Sequence, residues 1–403
     1  MRAPCTVSEA MDLAMKAGAG DAAPRHPIPP FTEEHEQFRE AVRRFVEREL
    51  LPHSPDWEAA RWFPNDVFTR LGELGYIGLK FPRQYGGDED PVADAVFVEE
   101  LARCGSGGLA AGIGAHCGIA LPPINRFGTE AQKQRYLVPG IRGETIAALA
   151  ITEPDAGSDV ASLRTRARKV DGGFLVNGSK TFITGGVRAD VLVTAVKTTE
   201  TGGHQGISFL IIERGPGVES RPLEKLGWHA SDTALITFDD VFVPEENLLG
   251  EENRGFYLIM ANFQWERLLM ALGAVGAMHV ALERTLKYAL ERKAFGREIG
   301  HFQTIRHKLA EIALKAEAGR DVTYAALRRY VAGEDATREV TIAKLATQRA
   351  AFEVMDSCLQ IHGGNGYMAE YGIERAARDA RLGPIGGGTD EIMKEILGRA
   401  LGL

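Results

Sequence analysis

An α+β fold is what this sequence predicts: an N-terminal helical domain, a small antiparallel β domain and a C-terminal four-helix bundle. Three observations carry that expectation. Apolar residues recur at helical spacing up to about Gly143, give way to short β-prone runs punctuated by glycine, and return to long helical spacing from Gly255. The 403 residues divide accordingly into 1–30, a loosely ordered leader; 31–144, helical; 145–246, β; and 247–403, the bundle.

The first helix starts after Thr32, a good N-cap, with Glu33 and Glu34 in the first turn and Phe38, Val42, Phe45 and Val46 on one stripe. Loops such as Phe81-Pro82-Arg83-Gln84-Tyr85-Gly86-Gly87 interrupt the pattern. The β-prone runs are Thr145–Thr152, Arg164–Val170, Phe174–Val176, Val191–Thr198, Ile207–Ile212 and Thr233–Phe242, and Asp171-Gly172-Gly173 reads as a hairpin turn. Helices are expected at about 255–292, 301–331, 336–362 and 388–400. The glycine-rich pieces Gly105–Gly108 and Gly363–Gly366 do not lie between a strand and a helix, which disfavours a nicotinamide-binding fold.

Composition narrows the function classes. The chain is 44% hydrophobic and 25% charged, with a formal net charge of -8, which argues against nucleic acid as the partner. Cys5, Cys104, Cys117 and Cys358 are scattered without metal-ligand spacing, so no zinc site or disulfide frame is expected, and a reducing compartment is. No apolar stretch reaches the roughly 20 residues that a membrane span needs. Glu9, Asp12 and Asp21 near the start speak against a secretory signal and point to a cytoplasmic protein, with a mitochondrial presequence as the alternative.

Motifs add the chemistry. Ala150-Ile151-Thr152-Glu153-Pro154-Asp155-Ala156-Gly157-Ser158-Asp159, Gly178–Thr184, Lys225-Leu226-Gly227-Trp228, Val241–Pro244, Arg292–Gly296, Ile299–Gln303 and Gln360–Tyr367 follow one another in a fixed order. In that order the chain resembles the acyl-CoA dehydrogenase family from about Phe31 to Leu403. The resemblance implies the fold of that family, an FAD cofactor, an acyl-CoA substrate and oxidoreductase activity. It implies that Leu149, Ile151, Thr152, Ser158, Phe182, Ile183 and Thr184 line the flavin. Arg292, Phe295, Gln303, Gln360, Gly363 and Gly364 would come from a neighbouring subunit, and Thr389 and Glu391 would complete the site at a helix start. A shared site implies an oligomer, a homotetramer built as a dimer of dimers.

The reaction needs a general base for the α proton and hydrogen bonds to the thioester oxygen. Many family members keep a Glu just before the Gly-Thr of the C-terminal loop; here that position is Gly387, in Pro384-Ile385-Gly386-Gly387-Gly388-Thr389. A replacement stands elsewhere. Ile259, Phe263, Glu266, Leu269, Met270 and Gly273 share one side of a helix, so Glu266 is a carboxylate in an apolar stripe, where burial raises a pKa. The plainer alternative for Glu266 is a structural ion pair or a solvated helix face. Glu266-Arg267-Leu268 resembles the segment that carries the base in long-chain and isovaleryl-type members. The resemblance further places Ser158, Gln264, Arg267 and Gly387 at the substrate, with the Gly387 N–H on the thioester carbonyl and Arg267 orienting the pocket.

Gly386 replaces a tyrosine common in straight-chain members, which leaves volume for a branched acyl group. Electron-transfer flavoprotein is the implied electron acceptor, and fatty acid β-oxidation a natural setting. Two other readings stay open: an oxygen-using enzyme on the same scaffold (an acyl-CoA oxidase or flavin monooxygenase), and a non-catalytic acyl-CoA-binding flavoprotein.

Overall fold

The computed structural model describes residues 27–199 and 203–403. Residues 1–26 of the expected leader, with Cys5, lie outside the described part. The helical N-terminal domain contains α1 (Glu33–Phe45), α2 (Ser54–Ala60), α3 (Asp66–Glu73), α4 (Pro91–Leu101), α5 (Gly107–Gly114) and α6 (Leu121–Phe127). Thr32 caps α1 as expected, its side chain accepting from the His35 N–H while the His35 ring answers the Thr32 N–H. Between α5 and α6 the helix passes through a π-helical stretch, Ala115–Ala120, which shifts the register of its glycines.

The middle domain holds β1 (Ala147–Ala150), β2 (Arg166–Val170), β3 (Gly173–Thr184), β4 (Val191–Lys197), β5 (Ile207–Glu213), β6 (Val218–Pro222), β7 (Thr233–Pro244) and β8 (Leu248–Leu249). These make one sheet in the order β6-β7-β3-β2-β4-β5-β8, with β1 beside β4. The expected antiparallel sheet is in fact mixed. β1 runs parallel to β4, from Ala147 opposite Val191 to Ala150 opposite Thr194, because the chain crosses the site loop between them before returning. Val170 pairs with Gly173 across Asp171-Gly172, the anticipated hairpin. β3 continues well past Val176, through Gly178 at φ 146°, a conformation that only glycine takes readily.

The C-terminal bundle is α7 (Gly255–Glu291), α8 (Gln303–Val331), α9 (Thr337–His362), α10 (Ile373–Ala380) and α11 (Asp390–Ala400). A two-stranded hairpin, β9 (Lys293–Ala294) and β10 (Arg297–Glu298), joins α7 to α8. The stretches 107–127 and 255–291 are apolar and long enough to cross a membrane by length and composition alone, contrary to the expectation from the sequence. Both instead pack into the folded body, with Leu109, Ile113, Leu121 and Ile124 and then Leu268, Ala271, Leu272 and Val275 buried.

One side chain links all three domains. Asp379, buried on α10, accepts from the Gly107 N–H at 3.0 Å and the Trp228 N–H at 2.6 Å. Burial pushes its pKa up to about 6, against the pull of those donors. No side chain fits between: a Cβ on Gly107 would stand 2.8 Å from Asp379 Oδ2 and 2.9 Å from the Trp228 ring.

Candidate active site

Two segments of the β domain are locked side by side. The Thr181 N–H donates to the Thr152 carbonyl at 2.9 Å, and Lys180 Nζ donates to the Ile151 carbonyl at 2.9 Å and to Glu153 Oε1 at 2.7 Å. Glu153 in turn accepts from the Arg164 and Thr165 N–H groups, so it braces the loop and is fully engaged. Burial raises its pKa, but the Lys180 ammonium outweighs that and holds the carboxyl below its ordinary value. Lys180 is fully buried, and its pKa falls to about 8.

The register of β3 against β7 slips between Lys180 and Ile183, and there Phe182 adopts φ 60° with 69% of its surface exposed. A left-handed, solvent-facing phenylalanine costs on the order of 1–3 kcal/mol and is the kind of strain that marks a working surface. Thr152, Phe182 and Thr184 thus present one half-open face, flanked by Ile183 in the core and by Ser158 on an exposed loop. Leu149 and Ile151 pack on the same apolar core as Phe263, one turn before Glu266. The core beneath β1 therefore extends to α7.

Glu266 lies in the middle of α7. Its Oε2 is out of contact with solvent and has no hydrogen-bond partner among the described residues. Burial drives its pKa up to about 7, with the Arg267 and Lys344 charges pulling the other way. The loop after α10 closes over it. A Cβ on Gly387 would stand 3.8 Å from Glu266 Oε1 and 2.3 Å from Met270 Sδ, and one on Gly388 would stand 3.8 Å from Arg267 Nη2. Gly387 is at φ 60° and Gly388 at φ 91°, so glycine is required there by conformation as well as by space. Among the described residues the Gly387 N–H donates to no protein acceptor. The structure thus brings Glu266, Arg267 and Gly387 together, as the sequence suggested. A carboxylate with an orphan oxygen in an apolar wall, beside a free N–H, is equipped to take a proton from a carbon next to a polarised carbonyl.

Other expected residues fall elsewhere. Gln264 turns away from Glu266 and donates to Asp335 and Thr337 at the start of α9. Arg292 and the 96%-exposed Phe295, at φ 51°, sit at the β9–β10 hairpin; Gln303 opens α8, and Gln360 ends α9 near Gly363 and Gly364. Nothing fills the space in which a Cβ on Gly363 or Gly364 would lie. Phe295, Gly363 and Gly364 are all exposed. Thr389 caps α11 by accepting from the Ile392 N–H, and Glu391 is exposed in its first turn. His362 is buried against the Tyr288 ring with Nδ1 on the Cys358 carbonyl, a structural role. Cys104, Cys117 and Cys358 are buried free thiols, and no group that could hold a metal occurs among the described residues. Sequence reasoning missed Lys344 of α9, which is completely buried and donates to the Gly383 and Gly388 carbonyls.

Comparison with known proteins decides the family. Residues 32–144, 148–241 and 253–402 match the N-terminal, middle and C-terminal domains of acyl-CoA dehydrogenase. The chain belongs to the acyl-CoA dehydrogenase family. It is 39% identical to a mitochondrial isovaleryl-CoA dehydrogenase of Oryza sativa, over 92% of either chain. It is also 39% identical to the mouse mitochondrial long-chain specific acyl-CoA dehydrogenase, over 92% of this chain and 87% of that one. The solved acyl-CoA dehydrogenase of Geobacillus kaustophilus superposes with a TM-score of 0.90 at 42% identity, covering 94% of this chain and 100% of the other. The protein is thus an FAD-dependent oxidoreductase of the acyl-CoA dehydrogenase class. The acyl-CoA dehydrogenase face at Thr152, Phe182 and Thr184 fits a flavin: an exposed ring in a strained conformation beside two hydroxyls offers both stacking and hydrogen bonds.

Proposed function

We propose that Glu266 is the general base that takes the α proton of an acyl-CoA thioester, giving the trans-2-enoyl-CoA. The observation that carries this reading is the Glu266 carboxylate next to Gly387, with its Oε2 buried and without a hydrogen-bond partner among the described residues. Bound FAD would supply the acceptor for the β hydride. Leu149, Ile151, Thr152, Ser158, Phe182, Ile183, Thr184, Thr389 and Glu391 would hold it within one protomer. Arg292, Phe295, Gln303, Gln360, Gly363 and Gly364 would hold the cofactor of a neighbour, which makes the working unit an oligomer, proposed to be a homotetramer. Gly387 donates its N–H to the thioester oxygen, raising the acidity of the α carbon, while Ser158 and Arg267 bound the pocket. Gln264 has its amide engaged by Asp335 and Thr337 at the start of α9 and so lies outside this set.

A base with a pKa of about 7 sets a testable pH profile. Only the carboxylate accepts a proton, so bleaching of the flavin at limiting acyl-CoA rises about tenfold per pH unit below pH 7 and levels off above it. A flat profile from pH 5 to 9 would remove Glu266 from the role.

For the substrate, the wall opposite α7 is a glycine-rich helix. A Cβ on Gly118 would stand 2.2 Å from Leu269 Cδ1, and one on Gly114 would stand 3.6 Å from Leu269 Cδ2. Leu269, one turn from Glu266, therefore rests in a notch that glycines leave for it. A Cβ on Gly386 would meet only Leu382, in ordinary contact at 3.6 Å or more, so the loop side is open. We infer a preference that includes branched or bulky medium-chain acyl groups. Leu269→Ala is expected to raise kcat/KM for the bulkiest thioesters of an equal-carbon panel by about 10-fold or more over linear ones. An exclusive preference for linear chains in the parent enzyme rules the branched reading out.

Electron-transfer flavoprotein is the proposed acceptor, fatty acid β-oxidation the proposed setting, and the cytoplasm the proposed compartment. The buried free thiols support a reducing environment.

A further inference from the structure

We propose that Lys344 is a positioning residue for the reaction, tying down the glycine loop over the substrate and setting a positive charge beside the base. The inference rests on the reading of Glu266 and Gly387 given above. Lys344 is inaccessible to solvent, and its Nζ donates to the Gly383 carbonyl at 3.0 Å and the Gly388 carbonyl at 2.5 Å. Those two carbonyls bracket Gly386 and Gly387, so the ammonium spans the loop from below. One turn on, Gln348 Nε2 donates to the Met270 carbonyl at 2.7 Å, and its Oε1 fills the space where a Cβ on Gly383 would stand. The same face of α9 thus holds both α7 next to the base and the loop next to the thioester.

The charge is unusual in its surroundings. Among the described residues no carboxylate forms an ion pair with Lys344. The charged groups facing it are Glu266 and Arg267 from α7, and Asp390 and Glu391 from α11, where Asp390 is already paired with Arg349 of α9 at 3.2 Å. Burial lowers the Lys344 pKa to about 8, so it stays largely protonated at neutral pH. A protonated Lys344 favours the ionised form of Glu266. It also holds the Gly383 and Gly388 carbonyls away from the pocket, where their partial negative charge would repel the thioester oxygen that the Gly387 N–H polarises. A lysine that served only packing would do neither.

The test uses FAD-loaded parent, Lys344→Met and Lys344→Gln. Anaerobic bleaching with acyl-CoA is followed by stopped flow across pH, and the absorption of a bound aryl-conjugated enoyl thioester reports carbonyl polarisation through its red shift. Both variants are expected to move the bleaching midpoint up by about one pH unit, which lowers the rate at pH 6 about tenfold. The red shift is expected to shrink in Lys344→Met and to survive in part in Lys344→Gln, whose amide reaches one carbonyl. Variants that hold FAD with the parent's midpoint and red shift overturn the proposal. If the Met variant loses FAD, the Gln variant decides alone; if both lose it, Lys344 is a folding residue and the proposal fails. A parent protein that does not bleach with any thioester counts against the proposed function instead, while the red-shift comparison still reads the loop.

Discussion

Glu266→Gln will keep its FAD and lose between about 10²- and 10⁴-fold in the rate of anaerobic bleaching by acyl-CoA. The amide matches the carboxylate in shape, so α7 should pack as before. Removing a buried charge that has no hydrogen-bond partner on Oε2 should leave thermal stability unchanged or raised. Gain of stability with loss of rate is the signature of a residue kept for chemistry. The opposite pairing, a parent-like rate with a lower melting temperature, would make Glu266 one half of a structural charge cluster with Arg267.

Lys180→Met should have the largest effect on stability. Lys180 is fully enclosed, and its removal leaves the buried Glu153 carboxylate with only the Arg164 and Thr165 N–H donors. Breaking one side of such a pair costs about 3–5 kcal/mol. The cost falls on the segments that face the flavin, because Lys180 also holds the Ile151 carbonyl. The variant is expected to lose FAD on gel filtration and to unfold at lower temperature. Adding Glu153→Gln should restore part of both, a non-additivity that identifies the pair as one unit. A single variant within about 1 kcal/mol of the parent would show that the loop is held by its other contacts.

What was legible in the sequence follows the strength of the local signal. Glu266 was visible because one carboxylate interrupts an otherwise apolar stripe. Lys344 carries the same signal in weaker form: it sits among Val340, Ala343, Thr347 and Ala351 on the buried face of α9, where small residues blur the stripe. The β6 strand has no alternation of apolar residues because it runs along the sheet edge, largely exposed, and it was invisible for that reason. The parallel pairing of β1 with β4 is non-local and leaves no trace in either strand's own residues. The outward turn of Gln264 was hidden for a different cause: its amide is captured by Asp335 and Thr337, residues more than seventy positions away. The strained Phe182 could be read only as a motif member, since nothing in Thr181-Phe182-Ile183 announces a left-handed backbone.

The carboxylate of Asp379 has a consequence for how this protein can be divided. The three matched regions look like interchangeable modules, yet each contributes one part of a single buried contact: Gly107 from the first, Trp228 from the second, Asp379 from the third. A fragment that keeps Asp379 without its donors loses both hydrogen bonds, and a fragment that keeps the donors without Asp379 leaves two N–H groups without their acceptor. The seams between the modules are therefore not fracture lines. Cutting the chain at either seam removes a hydrogen bond that no single region can make with itself.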